Sequence, residues 1–364
     1  MIKWVLLYLG LKFGIKKVIK DYVIPKSINA KIKKYSDSDQ IEILDAPNEL
    51  FETSSITKIN NEYLESIIDV EKFEATMKTF FREEDLANFY RNLSSIKEMK
   101  SGMFNVVKFA KYLISGGANV AGDYSAYSNT MKTNNSFLSK LMGATTHELL
   151  HASSTRYDKE QGVIYTGFQQ IKVNNFEHHG IALDEGFTQL LNEKYFVAPD
   201  YSSPFSKEFQ EALLATSYTD EKKIVTLLAD SIGLEKMKSL YLNGNLMGLV
   251  EELSKYSNVE DVLKFIAYTD ALMSHNNKKK KPYEETKDAI NFVLDFLTNV
   301  YVKSYVEKDE NVSDKNISDA YFCCRRNLRD NLPYGDSYVN ENLVFSILMD
   351  SIKSKNNGGI TKSA

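Results

Sequence analysis

Six residues in the middle of the chain read Thr146-His147-Glu148-Leu149-Leu150-His151. Histidines four positions apart lie one turn apart on the same face of an α-helix, so His147 and His151 can both reach a single metal ion. Glu148 follows the first histidine, and from there its carboxylate can reach a water on that metal. The chain holds only 5 histidines among 364 residues, which makes this spacing improbable by chance. The motif therefore favours a metal site; a helix with two non-ligating histidines is the alternative.

The residues on either side of this motif have helical periodicity. Apolar residues recur, without an intervening proline, at Phe137, Leu138, Leu141, Met142, Leu149 and Leu150. This pattern predicts a helix over residues 137–154, with Gly143 and the pair Thr145-Thr146 as its weak points. A polar turn is expected at residues 153–159, and strand composition at residues 162–171 indicates a hairpin.

A second helix is predicted downstream, over residues 181–193. Its apolar stripe consists of Leu183, Phe187, Leu190, Leu191 and Tyr195, and Pro199 ends it. Glu185 lies alongside this stripe, and a carboxylate on a buried side requires a partner such as a metal. A catalytic zinc ion takes three protein ligands and keeps a fourth position for water. We therefore expect Glu185 to join His147 and His151; an exposed surface glutamate is the alternative.

Composition and charge restrict the class of protein. Apolar residues make up 43% of the chain and charged residues 26%, as in ordinary globular proteins, and the length suffices for two or three domains. The net charge of −4, with both signs interspersed, argues against nucleic acid as a partner. The adjacent cysteines, Cys323 and Cys324, cannot easily form a relaxed disulfide with each other. They fit a reducing, cytoplasmic location, and their role stays open.

The first 24 residues need a separate interpretation. Trp4 to Leu11 is apolar, and lysines follow at positions 12, 16, 17 and 20. This run is shorter than the ~20 residues of a membrane span, and no secretory cleavage site follows it. We interpret residues 2–24 as a helix that ends before Pro25 and packs on the protein, with peripheral membrane contact as the alternative. Residues 26–40 are expected to form a polar loop, which completes an N-terminal segment over residues 1–40.

Between this segment and the motif, the pattern predicts helices and strands. The expected positions are Ile41–Leu44 for a short strand and residues 69–96 and 104–114 for two helices. Residues 118–133 mix small and aromatic side chains without a helical period, which indicates one or two irregular strands. Tyr124 and Tyr127 in this stretch are candidates for lining a cleft, or are simply strand tyrosines.

The chain after residue 206 has an almost entirely helical pattern. The predicted helices cover residues 207–215, 221–232, 234–242, 247–256, 259–273, 283–307, 313–331 and 340–354. Lys278 to Lys281 indicates a solvated loop near an exposed His275. These patterns divide the rest of the chain into a core over residues 41–200, a helical lobe over residues 201–355 and a disordered tail over residues 356–364.

The H-E-x-x-H motif and the downstream glutamate motif together resemble the gluzincin metallopeptidases. In that superfamily H-E-x-x-H is followed by a second helix with a ligand glutamate, often in N-E-G-F, and Asp184-Glu185-Gly186-Phe187 is similar to it. The resemblance covers roughly residues 118–195. Asp184 replaces the usual asparagine, and Gln189 takes the place of the aspartate that supports a histidine in thermolysin-like members.

Other zinc peptidase patterns do not fit. The metzincin pattern would need glycine at position 154 and histidine at position 157, where this chain has Ser154 and Tyr157. The exopeptidase motif of the aminopeptidase-like families is not visible either. The substrate class is therefore not carried over, and endo- or exopeptidase action and the oligomeric state stay open.

The resemblance implies an α+β fold with a zincin-like catalytic domain. That domain would contain a small mixed sheet and the active-site helix, and a large all-helical lobe would follow it. In this layout an edge strand precedes the metal helix and pairs with an extended peptide or protein substrate.

The resemblance also implies a zinc-dependent peptidase. Zinc would activate a water, Glu148 would accept its proton as the general base, and a tyrosine or histidine would stabilise the oxyanion. The candidates for that donor are His178, His179, Tyr165 and Tyr195. Asp184, Asn192 and Glu193 are available to support the ligand histidines. The alternative is an inactive or regulatory zinc-binding protein of the same fold.

Overall fold

The structure is a computed structural model that describes residues 24–37, 40–45, 58–105, 121–134, 139, 143–175, 177–197, 218–273, 284–308, 312–332 and 340–358. Helices make up most of these residues, and two small sheets accompany them. The expected α+β class is thereby confirmed. The predictions for residues 2–23, 207–215 and 278–281 and for His275 lie outside the described residues.

The first described element is helix α1, Ile24–Lys34, where the sequence predicts a loop over residues 26–40. That prediction is wrong because Ile28, Ile32 and Tyr35 form a buried stripe at helical spacing within a polar stretch. The predicted end of a helix before Pro25 falls on residues outside the described chain, whereas Pro25 itself lies in the first turn of α1. Proline is tolerated in a first helical turn, where its missing N–H group has no partner to lose.

The single helix predicted over residues 69–96 is interrupted. After the short helix α2, Glu62–Glu65, the chain forms α3, Val70–Phe80, a 3₁₀ turn at Glu83–Asp85, and α4, Ala87–Ser95. Phe81 ends α3 because its backbone is extended, with φ −127° and ψ 153°. Its side chain is buried, so the break places this ring in the core.

The strand expected at Ile41–Leu44 is an extended segment that joins neither sheet of the described chain. The Gln170 side chain takes the place of a neighbouring strand. Its Oε1 accepts from the Leu44 N–H group at 3.0 Å, and its Nε2 donates to the Leu44 carbonyl at 2.8 Å. A side-chain amide can thus satisfy the backbone of an extended segment without a ladder.

The first sheet precedes the motif helix, as the composition of residues 118–133 predicts. Its strands are β1, Lys97–Glu98, β2, Gly122–Ser125, and β3, Thr130–Thr133, in the order β1-β3-β2. β1 is parallel to β3 and β2 is antiparallel to it, so this sheet is mixed. Among the described strands β2 is an edge, with Gly122 opposite Thr133. Of the helix predicted over residues 104–114, only residues up to 105 are described, and residues 101–105 are helical.

The motif lies on helix α5, Ala144–Ser154. The helix predicted over residues 137–154 does not run through Gly143, whose φ of +63° is incompatible with a continuing right-handed helix. The polar turn predicted at residues 153–159 is also wrong. The helix continues to Ser154, and β4, Thr155–Asp158, follows directly with both ends buried.

The second sheet is antiparallel throughout. It contains β4, then β5, Val163–Thr166, β6, Gln169–Lys172, and β7, Glu177–His179, in sequence order. The hairpin predicted at residues 162–171 is confirmed as β5 and β6, whose turn includes Gly167 with φ +51°. The sheet leads into helix α6, Ile181–Leu191, which ends in a π-helical turn at Asn192–Phe196.

The remaining described chain is helical, and the predicted boundaries agree to within a few residues. The helices are α7, Thr219–Ile232, α8, Leu234–Leu242, α9, Leu246–Ser254, α10, Val259–Met273, α11, Glu284–Lys308, α12, Asp314–Asn331, and α13, Glu341–Gly358. The predicted disordered tail is wrong for residues 356–358, which belong to α13.

One hydrophobic core connects the elements before and after residue 200. It extends along the chain from Ile28 in α1 to Leu332 after α12, and it includes Leu149 of α5 and Phe187 of α6. A smaller cluster joins α11, α12 and α13 through Val302, Tyr321 and Leu348. None of the described helices is both long and apolar enough to cross a bilayer.

Candidate metal centre

Helices α5 and α6 bring three potential metal ligands together. The Nε2 atoms of His147 and His151 are 3.2 Å apart, and Oε2 of Glu185 lies 3.1 Å from the first and 3.4 Å from the second. Both histidines are buried, and Glu185 is partly exposed. Within the described part of the chain this is the only such group of histidine, cysteine or acidic side chains.

These separations fit a tetrahedral metal site. Zinc bonds of about 2.0–2.1 Å to nitrogen and oxygen, at tetrahedral angles, place neighbouring ligand atoms roughly 3.3 Å apart. Two imidazole nitrogens and one carboxylate oxygen are also a donor set that catalytic zinc sites use. The residues present therefore fit zinc in both spacing and chemistry.

A buried carboxylate orients His151. Oδ2 of Asp184 lies 3.0 Å from Nδ1 of His151, while Oδ1 accepts from the Phe168 N–H group at 3.0 Å. A histidine whose Nδ1–H donates in this way presents the lone pair of Nε2 to the metal position. Asp184 thus supports a histidine, which is the role that the sequence analysis considers for it.

His147 has a different partner, which the sequence motif does not reveal. Oε1 of Gln189 lies 3.0 Å from its Nδ1, and Nε2 of Gln189 donates to Glu193 at 2.8 Å. Lys222 on α7 binds both carboxylate oxygens of Glu193, at 2.8 and 2.7 Å. Glu193 therefore supports the site only through Gln189.

Asn192, the third residue available for support, is hydrogen-bonded to the first turn of α5. Its Oδ1 accepts from the Thr146 hydroxyl at 2.5 Å, and its Nδ2 donates to the Gly143 carbonyl at 3.2 Å. These two bonds join the π-helical turn after α6 to the first turn of α5. Asn192 thereby fixes the two ligand helices relative to each other.

The side chain of Glu148 lies between its own helix, α5, and the edge strand β2. A Cβ atom on Gly122 would be 2.8 Å from Cγ of Glu148 and 2.9 Å from its Oε1. Any larger residue at position 122 would displace this carboxylate. Glu148 is partly exposed, in contrast to the two histidines on the same helix. The expected general base therefore lies where the sheet edge, the helix and solvent meet.

The charges of the cluster are strongly coupled. Burial alone would lower the pKa of the His151 imidazole, but the Asp184 and Glu185 carboxylates outweigh it and raise that pKa well above the ordinary value. Burial likewise acts to raise the pKa of Glu185, but His151 and His147 hold it well below the usual range. The site thus keeps Glu185 ionised, which is the form that binds a metal, whereas the raised pKa of His151 means that a metal must displace a proton from this imidazole.

The two tyrosines proposed as oxyanion donors have partners outside this cluster. The Tyr165 hydroxyl donates to the Asp45 carbonyl at 3.0 Å, and its ring is fully buried. Tyr195 stacks on Phe80 with ring centres 4.5 Å apart and also contacts Phe81. Both side chains have structural partners, and the structure gives neither assignment support.

The two histidines before α6 are also directed elsewhere. His178 is exposed, and its Nδ1 lies 2.9 Å from Nε2 of Gln169. His179 is buried against the ring of Tyr35, with a centroid distance of 5.8 Å. Burial lowers the pKa of His179 to about 4, so its imidazole is neutral in the fold. The structure therefore pairs His178 with Gln169 and His179 with Tyr35, and supports neither as the donor.

Tyr218 is the residue that the sequence reasoning missed. Its ring stacks on the His147 imidazole, with centroids 5.5 Å apart and an interplanar angle of 7°. Burial raises the pKa of its hydroxyl well above the ordinary value, and the nearby Glu185 and Glu148 carboxylates act in the same direction. Its φ of +45° is rare for a residue with a side chain, and such strain is frequent at functional sites.

Nothing in the sequence near Tyr218 marks it, because it reaches the cluster only through the packing of α7 on α6. Gly186 permits that approach, since a Cβ atom there would lie 2.5 Å from the carbonyl carbon of Glu221. The glycine after the ligand glutamate therefore has a packing role. It lets α7 deliver Tyr218 to the metal position.

The other singled-out residues lie away from the cluster. The Tyr124 hydroxyl lies 3.1 Å from Oδ1 of Asn129 and its ring packs on the core, whereas Tyr127 is 66% exposed beside Tyr157. Cys323 and Cys324 on α12 are free thiols, one exposed and one buried. The structure gives neither pair a part in the metal centre.

No protein-family model matches the chain, and comparisons with curated proteins and with solved structures find no significant match.

Proposed function

We propose that the protein is a zinc-dependent peptidase of gluzincin type. The observation that carries the proposal is the convergence of two imidazole nitrogens and one carboxylate oxygen, 3.1–3.4 Å apart, beside Glu148. His147, His151 and Glu185 would hold the metal. The zincin-like arrangement of this part of the chain belongs to the same proposal.

Each remaining residue of the centre has a role in this reaction. Zinc, when bound, would supply a Lewis acid and an activated water. Glu148 would accept the proton of the attacking water and deliver it to the leaving amine. The Tyr218 hydroxyl, kept protonated by its raised pKa, would donate to the carbonyl oxygen as negative charge develops on it.

A peptide is the substrate that the surroundings favour. β2 ends the first sheet in the described chain and lies against Glu148. An extended peptide could add to this edge through backbone hydrogen bonds, which places its carbonyl groups near the general base.

The decisive experiment combines metal analysis with a single substitution. Purified wild-type protein should contain about one zinc per chain and should cleave a peptide library, and Glu148→Gln should keep the zinc and lose cleavage. If both proteins bind zinc and neither cleaves, the protein is instead the regulatory zinc-binding protein. Absence of zinc binding by the wild type would refute both.

The location of the protein is a separate proposal. Free cysteines fit a reducing, cytoplasmic compartment. Contact of residues 2–24 with a membrane surface would appear as binding to anionic liposomes that a deletion of these residues abolishes, and unchanged binding would argue against it.

A further inference from the structure

The two ligand histidines have unlike partners. His151 donates from Nδ1 toward the carboxylate of Asp184, whereas His147 faces the neutral amide of Gln189. A carboxylate can only accept a hydrogen bond, so the orientation of His151 is unambiguous. An amide has an oxygen on one side and an NH₂ group on the other, so its effect on His147 depends on which side faces the ring.

Glu193 determines which side that is. Its carboxylate lies 2.8 Å from Nε2 of Gln189, and turning the amide over would place two oxygen atoms face to face at that distance. Lys222 holds the carboxylate through both oxygens. The amide oxygen is therefore directed to His147, and Nδ1 of His147 carries the proton that it accepts.

The orientation matters for metal binding. When Nδ1 of His147 is the donor, Nε2 keeps its lone pair and faces His151 and Glu185. If the amide presented its NH₂ group, Nδ1 would become the acceptor and the proton would move to Nε2. An imidazole protonated at Nε2 cannot ligate a metal through that atom.

We infer that Glu193 and Lys222 are positioning residues that keep His147 in its ligating form by holding the Gln189 amide. The inference rests on the proposed function and deepens it, because it assigns control of the metal site to an ion pair that touches no ligand. The side chains of Glu193 and Lys222 are 23% and 17% exposed, so the pair is accessible at the protein surface.

The test compares three variants with the wild type in the full-length protein. Glu193→Leu and Gln189→Leu remove the control of the amide or the amide itself, and Glu193→Gln keeps an acceptor oxygen for Gln189. Glu252→Leu is the matched control, because Glu252 is 17% exposed and pairs with Lys236 and Lys255 away from the cluster.

The first readout is the zinc affinity, measured by competition with a chromogenic chelator. The two leucine variants at positions 193 and 189 should bind zinc about 10–100-fold more weakly, whereas Glu193→Gln should recover most of the affinity and Glu252→Leu should match the wild type. The second readout is the ¹⁵N NMR spectrum of the metal-free protein, in which Nδ1 of His147 should be protonated in the wild type and the proton should shift toward Nε2 in Glu193→Leu.

The outcomes separate the two ideas. If the wild type binds zinc and Glu193→Leu binds it equally well with the same His147 spectrum, the inference is overturned and the proposed function stands. If the wild type binds no zinc, the proposed function fails and takes the inference with it. The inference is also overturned if Glu252→Leu loses as much zinc affinity as Glu193→Leu. The loss would then come from general destabilisation of the protein.

Discussion

Asp184 contacts His151 through one carboxylate oxygen and the Phe168 backbone through the other, at 3.0 Å in each case. Asp184, which directly precedes Glu185 in the sequence, thereby supports His151. One turn of α6 thus serves two of the three potential metal ligands. The Asp184 side chain thereby places a carboxyl group behind the imidazole of His151.

Asp184→Asn should weaken zinc binding by about 10–100-fold, because the charged acceptor of the His151 Nδ1–H group is lost. The measurement is chelator competition at constant pH. Asp85→Asn is the control, since Asp85 is equally buried but binds Ser239 and Asn243 away from the cluster. An unchanged affinity in Asp184→Asn would show that His151 does not depend on this carboxylate.

Gly167→Ala should destabilise the protein by more than about 3 kcal/mol, because a new Cβ atom would overlap Oδ1 of Asp184 and the ring of Tyr241. Gly162→Ala is the matched control. Its φ of +65° resembles the +51° of Gly167, but the nearest atom to its Cβ would be 3.7 Å away. Only the conformational cost of about 1 kcal/mol should remain there. Urea unfolding measures the loss of stability in both variants. Equal losses would contradict the predicted overlap at position 167.

Tyr218→Phe should lower kcat/KM by about 10²–10³-fold while the zinc affinity stays within a few-fold of the wild type. The stacking on His147 is kept in this variant and only the hydroxyl is removed. Tyr195→Phe, whose ring packs on Phe80 and Phe81, should leave the activity unchanged. A Tyr218→Phe protein that loses zinc instead would show that the hydroxyl holds Glu185 rather than the oxyanion.

Asp270 ties the ligand helix to the helical part of the chain. From α10 its two oxygens accept from the Gly180 N–H group at 2.7 Å and from the Ala182 N–H group at 2.9 Å, at the first turn of α6. Burial raises the pKa of this carboxyl to about 7, although the two N–H groups act in the opposite direction. Lys31 and Asp184 are the charged groups that influence it.

The stability of the protein should depend on pH through this residue. The folded-state pKa of Asp270 is above its unfolded value of 3.8, so between these two values the folded state binds more protons and stability falls as the pH rises. The stability advantage of the wild type over Asp270→Asn should therefore shrink by about 3 kcal/mol between roughly pH 4.5 and 7.5. Urea unfolding at these two pH values measures it. A difference that does not change with pH would show that Asp270 titrates normally.

The parts of the site that the sequence predicts are those with local signals. His147, Glu148 and His151 follow from their spacing on one helix, and Glu185 follows from the apolar stripe around it. Structure brings the three ligand atoms together as expected. The long helices after residue 218 were predictable for the same reason, since their apolar residues repeat at a period that neighbouring elements do not alter.

The missed features depend on contacts between distant residues. Tyr218 meets His147 only because α7 packs on Gly186, and Gln189 was known only as a departure from a pattern. The boundaries of α5 were misjudged because the left-handed conformation of Gly143 and the strand that follows Ser154 have no periodic signature. The four proposed oxyanion donors were chosen by residue type and by closeness along the chain, and the structure gives each of them a partner outside the cluster.

The approach of α7 to Gly186 has a thermodynamic consequence. Because Glu185 is held on a helix packed into the common core, a metal bound there would be linked to the unfolding of the whole described chain, including helices that never touch it. Free zinc at 100 times its dissociation constant would add about 2.7 kcal/mol to the free energy of unfolding. Zinc supply would then influence how long the protein persists as well as whether it acts.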